Sequence, residues 1–120
     1  MATLEGTLGV QEEKKGDILI LHFKGKLDAI SSPLAEKKIF DSINNGQHKL
    51  LLNFAGVDYL SSAGMRMLLS TTKKLKTLSG KLVVSSVNSN VMDVLIMSGF
   101  DHVLELAKSN EEAFKRFNGI

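Results

Sequence analysis

The chain has no cysteine, no tryptophan and a single proline, Pro33. Without thiols there is no disulfide framework, no cysteine-ligated zinc and no thiol nucleophile. Aromatic residues make up only 6%, and the formal net charge is only +2, with acids and bases mixed along the chain. So small a charge leaves no electrostatic footprint for nucleic acid or an anionic membrane. The one basic cluster, Lys73, Lys74 and Lys76, reads as the solvated face of a helix. No apolar run approaches the roughly 18 residues that a membrane span needs. The opening "MATLEGTLGV" has neither the basic nor the apolar region of a secretory signal, and Ala2 stands where myristoylation needs glycine. The cytoplasm is therefore the expected setting. His22, His48 and His102 are far apart along the chain, so no shared metal site is expected.

What is present suits one domain. The chain has 120 residues, 43% hydrophobic and 23% charged, enough for one core. No repeat or linker interrupts it. From Thr7 to Lys14 the pattern alternates, with Leu8 and Val10 on one face. "KKGD" then reads as a turn and "DILILHFKG" as a strand, so the two runs predict a hairpin. Ser32 before Pro33 predicts an N-cap with proline at the first helical position. Ala35, Ile39 and Ile43 then recur every four residues up to "NNG". "KLLLNFAG", residues 49–56, is a continuous apolar run between turn residues. It predicts a central strand buried on both faces.

The next stretch, "VDYLSSAGMRMLLSTTKKLK", leads into a helix. Met65, Leu68, Leu69, Thr72, Leu75 and Leu78 form its inward stripe, with Arg66, Ser70, Lys73, Lys74 and Thr77 largely opposite. "KLVVSSV" predicts a strand. "NSNVMDVLIMSGF" predicts a helix with Val91, Val94, Leu95 and Ser98 inward and Gly99 as its stop. "HVLEL" predicts a short strand. "SNEEAFKRF" predicts a last helix, with Ser109 and Glu112 at capping-box spacing and Ala113, Phe114 and Phe117 on its buried side. The order β β α β α β α β α needs crossover connections. The expected fold class is α/β: a single small domain over the whole chain, with its core at 7–117. Its sheet should be mixed and mostly parallel, with an N-terminal β-hairpin and four helices.

Enzyme motifs are largely missing. "SGKL" fails as a phosphate loop because it follows a helix and lacks the final Ser or Thr, and no G-x-G-x-x-G exists. Ser61 and Ser62 stand at a strand-to-helix junction, where a hydrolase nucleophile would stand. The G-x-S-x-G elbow is absent, however, and the only later histidine is His102. Asp28, Asp58 and Asp93 are separate, so paired-carboxylate chemistry has no basis. One of the two serines is expected to cap the helix. Asn53 at the end of its strand, and Asp28 in its loop, also read as local hydrogen-bonding residues. Met65 reads as core and Arg66 as outward-facing.

The segment from "LLLNFAG" through "YLSSAGMRML" and "SGKLVV" to "VMDVLIMSGFDHVLEL" resembles the STAS domain, named for sulfate transporters and anti-sigma factor antagonists. "FKGKLDAISSP" upstream is similar to that family's Gly-x-Leu-Asp loop. The resemblance implies a non-enzymatic anti-sigma factor antagonist. Its partners would be an anti-sigma factor serine/threonine kinase of histidine-kinase-like fold and a serine phosphatase, with no nucleic acid and no membrane. Unphosphorylated, it would bind the kinase and so free a sigma factor. ATP and Mg²⁺ would belong to the kinase, so the domain needs no cofactor of its own. Matching Gly64 to the family glycine places the phosphoacceptor on Ser62, with Ser61 the fallback. Asp28, Ser32, Ser61, Ser62, Ala63, Gly64 and Arg66 are the expected partner-binding residues. An alternative within the resemblance is a stand-alone subunit of a lipid-transport or stress-signalling complex.

Overall fold

Residues 2–3 and 8–118 are described by the computed structural model. The strands are β1 (Ala2–Thr3), β2 (Leu8–Lys15), β3 (Ile18–Leu27), β4 (Lys49–Leu60), β5 (Lys81–Ser85) and β6 (Glu105–Ala107). The helices are α1 (Ser31–Asn44), α2 (Ser62–Thr77), α3 (Ser89–Met97) and α4 (Asn110–Phe117), with a 3₁₀ turn at Phe100–His102. The strands form one sheet in the order β1-β2-β3-β4-β5-β6. β1, β2 and β3 pair antiparallel, and β3 to β6 run parallel. The mixed, mostly parallel α/β domain expected from the residue pattern is the fold observed. The short β1 was not anticipated, and Thr7 lies outside the described residues.

Alternation explains the layers. Side chains along a strand point to opposite faces, and in β3, β4 and β5 both faces are apolar. Leu19, Leu21, Phe23, Leu50, Leu52, Phe54, Leu82 and Val84 join the larger core, together with residues of α1, α2 and α3. Ile18, Ile20, Leu51 and Val83 join a smaller core under Ala113 and Phe117 of α4. The three crossover helices thus share one face of the sheet. A right-handed crossover that keeps to one face always steps the same way, which is why strand order follows chain order.

Several elements differ in detail from their sequence reading. β4 runs past Gly56 to Leu60, because its register against β3 slips after His22 and again after Gly25. Beyond the first slip its buried residues are Val57 and Leu60, a spacing of three that hides the strand from a period-two pattern. Asn53 is therefore mid-strand. Its Oδ1 accepts from the Ala55 amide at 2.9 Å and its Nδ2 donates to Asn110 Oδ1 at 3.0 Å. The buried stripe of α2 is Gly64, Met67, Leu68, Thr71 and Leu75. Leu69 and Thr72 are only half-buried and Leu78 is exposed. Met65 packs on the core from its edge.

α1 starts one residue before the expected cap. Its N-cap position is Ile30, Ser32 lies within the first turn, and Pro33 is the third helical residue. In α3 Val91 and Leu95 are buried, whereas Ser98 is exposed at the C-cap. Gly99 follows with φ +79°, the left-handed stop that suits glycine. His102 belongs to the 3₁₀ turn, so β6 is shorter than "HVLEL" suggested. Ser109 caps α4 as expected, its Oγ accepting from the Glu112 amide at 3.2 Å.

Candidate functional site

The site begins where two parallel strands end together. Leu27 closes β3 opposite Leu60, which closes β4. The next residue, Ser61, is fastened across that gap. Its amide donates to the Leu27 carbonyl at 2.9 Å and its Oγ donates to the same oxygen at 2.8 Å. The Oγ also accepts from the Gly64 amide at 3.2 Å. This is N-cap geometry on α2: the side chain satisfies one amide of the first turn, which has no partner within the helix.

Ser62 is the first residue of α2 and is exposed. Its hydroxyl has no hydrogen-bond partner among the described residues. The two serines therefore divide the roles left open by the sequence: Ser61 is the cap, and Ser62 offers an unengaged hydroxyl at the positive end of a helix.

Gly64 keeps the turn close to β3. A Cβ there would lie 2.6 Å from Leu60 Cδ1 and 3.1 Å from both the Cβ and the carbonyl oxygen of Leu27. A side chain there would have to displace the Leu60 side chain and crowd the Leu27 carbonyl that holds Ser61. Gly64 is buried, so its role is in the backbone and not in a surface contact.

Asp28 follows Leu27 and so lies beside the serine turn. Its Oδ1 accepts from the amides of Ile30 at 3.0 Å and Ser31 at 2.9 Å. Asp28 is thus the local acceptor at the start of α1, the role expected of Ser32. Ser31 locks the loop from the other side. Its Oγ accepts from the Asp28 amide at 3.0 Å and donates to the Lys26 carbonyl at 2.6 Å. Ser32 is only 1% exposed and its Oγ has no hydrogen-bond partner among the described residues. It neither caps α1 nor reaches the outer surface; it lies at the floor of a groove of about 280 Å³ between α1 and α2. Ala63, Arg66, Ser70 and Glu36 line the same groove. Arg66 is exposed and forms no ion pair among the described residues.

Two exposed apolar residues flank the turn and were not singled out by sequence reasoning. Ile30 in the β3–α1 loop is 68% exposed and Tyr59 near the end of β4 is 49% exposed. A signal for Ile30 was its place in a loop of short polar residues. Tyr59 gave none, because the slipped register decides which way it faces. Further along, Ser98 at the end of α3 donates to Met65 Sδ at 3.4 Å, which sets α3 against the first turn of α2.

Neither serine hydroxyl has a histidine or carboxylate partner among the described residues, and an internal nucleophile needs such a base. No group of three potential metal ligands occurs among the described residues. No helix among them is long and apolar enough to cross a membrane. The geometry suits a hydroxyl presented to another protein.

Fold and site together define a small α/β domain with a serine turn at the ends of its parallel strands. Residues 10–113 match the STAS domain, and the chain belongs to that family. It is 29% identical over 105 residues to the putative anti-sigma factor antagonist BtrV of Bordetella bronchiseptica, covering 88% of this chain and 90% of that protein. A crystal structure of a putative anti-sigma factor antagonist from Thermotoga maritima superposes with a TM-score of 0.87 at 22% identity, covering 91% and 94% of the two chains. The anti-sigma factor antagonist SpoIIAA in its unphosphorylated form gives 0.79 at 23% identity, covering 93% and 98%. The phosphorylated form of SpoIIAA from Bacillus gives 0.70 at 21%, covering 90% and 98%.

Proposed function

We propose that this protein is an anti-sigma factor antagonist switched by phosphorylation of Ser62. The observation that carries the reading is the division of labour at the turn. Ser61 is held by Leu27 and Gly64, whereas the Ser62 hydroxyl is exposed and unengaged. The relatives named as anti-sigma factor antagonists, and a structural neighbour known in both phosphorylated and unphosphorylated forms, support it.

The partner is an anti-sigma factor that is itself a serine kinase. Ser62 Oγ attacks the γ-phosphorus of the kinase's ATP. The new Oγ–P bond forms as the bond to the ADP oxygen breaks, and the hydroxyl proton passes to a base of the kinase. A serine phosphatase reverses the change by hydrolysis. Before phosphorylation, the neutral turn and its apolar neighbours Ile30 and Tyr59 present a surface of low desolvation cost, with Asp28, Ala63 and Arg66 around it. Afterwards the same surface carries about −1.5 to −2 charges, which a docking partner would have to desolvate. The fold itself tolerates the phosphate, because the first turn of α2 points amide N–H groups toward it.

The test is incubation with the cognate anti-sigma kinase and ATP, followed by mass spectrometry and binding measurements. Phosphate should map to Ser62. Ser62→Ala should bind the kinase at wild-type strength and stay bound in ATP. Ser62→Asp should bind at least tenfold more weakly. Phosphate on another residue, or equal binding by both variants, would overturn the reading.

A further inference from the structure

We propose that Arg66 is an internal clamp for the phosphate on Ser62; this rests on the reading of Ser62 as the acceptor. Ser62 is the first residue of α2 and Arg66 stands four residues later, so the two share one face of the helix. Helical side chains lean toward the helix N-terminus, which carries the guanidinium back over the first turn and toward Ser62. Both side chains are exposed, and neither has a hydrogen-bond or ion-pair partner among the described residues. An arginine without a partner on the same helix face as a hydroxyl that gains about −1.5 to −2 charges is matched to it, since guanidinium binds phosphate through two parallel N–H bonds.

The surroundings favour this use of Arg66. Glu36 lines the groove from α1 but makes no ion pair with Arg66. Asp28 is committed to the amides of Ile30 and Ser31.

The clamp changes how the switch works. In the neutral form Arg66 is open to an acidic group on a partner. In the phosphorylated form the same guanidinium is taken up by the phosphate of its own chain. Phosphorylation then both adds a charge to the surface and removes a cation from it.

The test isolates the clamp from the identity of the kinase. Phosphoserine is inserted at position 62 during synthesis of the full chain, and the phosphate is titrated by phosphorus NMR in the wild-type background and in R66Q and R66K. The helix end is the same in all three, so differences report on residue 66. The second phosphate pKa should be about 0.5 pH unit higher in R66Q than in wild type, with R66K in between. Equal values in wild type and R66Q, or an R66K value no lower than R66Q, would overturn the clamp. Circular dichroism confirms that each variant is folded. If the kinase were found to modify another residue, the reading of Ser62 would fail while this titration still reported on the pairing itself.

Discussion

Alanine at position 61 should damage the fold much more than alanine at position 62, although the two residues are adjacent and chemically identical. The Ser61 hydroxyl makes two hydrogen bonds, at 2.8 Å to the Leu27 carbonyl and at 3.2 Å from the Gly64 amide. In Ser61→Ala the Leu27 carbonyl keeps its bond from the Ser61 amide at 2.9 Å. The Gly64 amide is left with no acceptor and, being buried, with little access to water. Loss of an N-cap costs about 0.5–2 kcal/mol, and an orphaned buried donor about 1–3 kcal/mol. These describe one event and are not summed; about 1.5 kcal/mol is the expected loss. At roughly 2.1 cal/mol/K per residue of unfolding entropy, that lowers the midpoint of a chain this long by about 6 °C. Ser62→Ala removes no hydrogen bond from an exposed position, so its stability should stay within about 0.5 kcal/mol of wild type. Urea and thermal melts of the two variants make the comparison, with hydrogen exchange of the Gly64 amide as a local readout. Equal melting of the two variants, or a weaker Ser62→Ala, would refute the assignment of the cap to Ser61.

Three further outcomes follow from the same geometry. Gly64→Ala should destabilise by about 1–3 kcal/mol in urea melts through overpacking against Leu60 and Leu27; an ordinary exposed helix glycine would gain stability instead. Asp28→Ala should cost about 0.5–2 kcal/mol by leaving the amides of Ile30 and Ser31 without their acceptor. Asp28→Asn, which keeps a side-chain oxygen, should recover most of that loss in the same melts. The Asp17 carboxyl is held below its ordinary pKa, chiefly by a hydrogen bond from Lys49. A lowered folded pKa stabilises the fold above the unfolded value near ~3.9 and ceases to do so as pH falls through the folded one. In Lys49→Met the Asp17 titration followed by NMR should therefore move upward, and an unchanged curve would mean that Lys49 is not the cause.

Much of the fold was readable because its signals are local. The periodicity of α1, the apolar runs of β3, β4 and β5, and the cap at Ser109 each depend on residues close in sequence. The errors arose where distant contacts decide. β4 continues to Leu60 because its register slips against β3, which no period-two pattern records. Ser32 and Pro33 are a good local start signal, yet the carboxylate of Asp28 and the return of Ser31 to Lys26 start α1 earlier. The stripe on α2 was misread in part because Thr71, which looks polar, buries its hydroxyl on the Met67 carbonyl at 2.9 Å.

Taken alone, the sequence determined a one-domain α/β chain without disulfides, a parallel sheet apolar on both faces, and a pair of serines at the start of the third predicted strand's helix. It did not show which of those serines caps the helix. A hydroxyl becomes a cap through the acceptor or donor it meets, and the acceptor that holds Ser61 is the Leu27 carbonyl, 34 residues away in the chain. Only the parallel pairing of β3 with β4 brings that oxygen to the turn. The choice was made by the meeting of two strand ends, and it leaves Ser62 exposed.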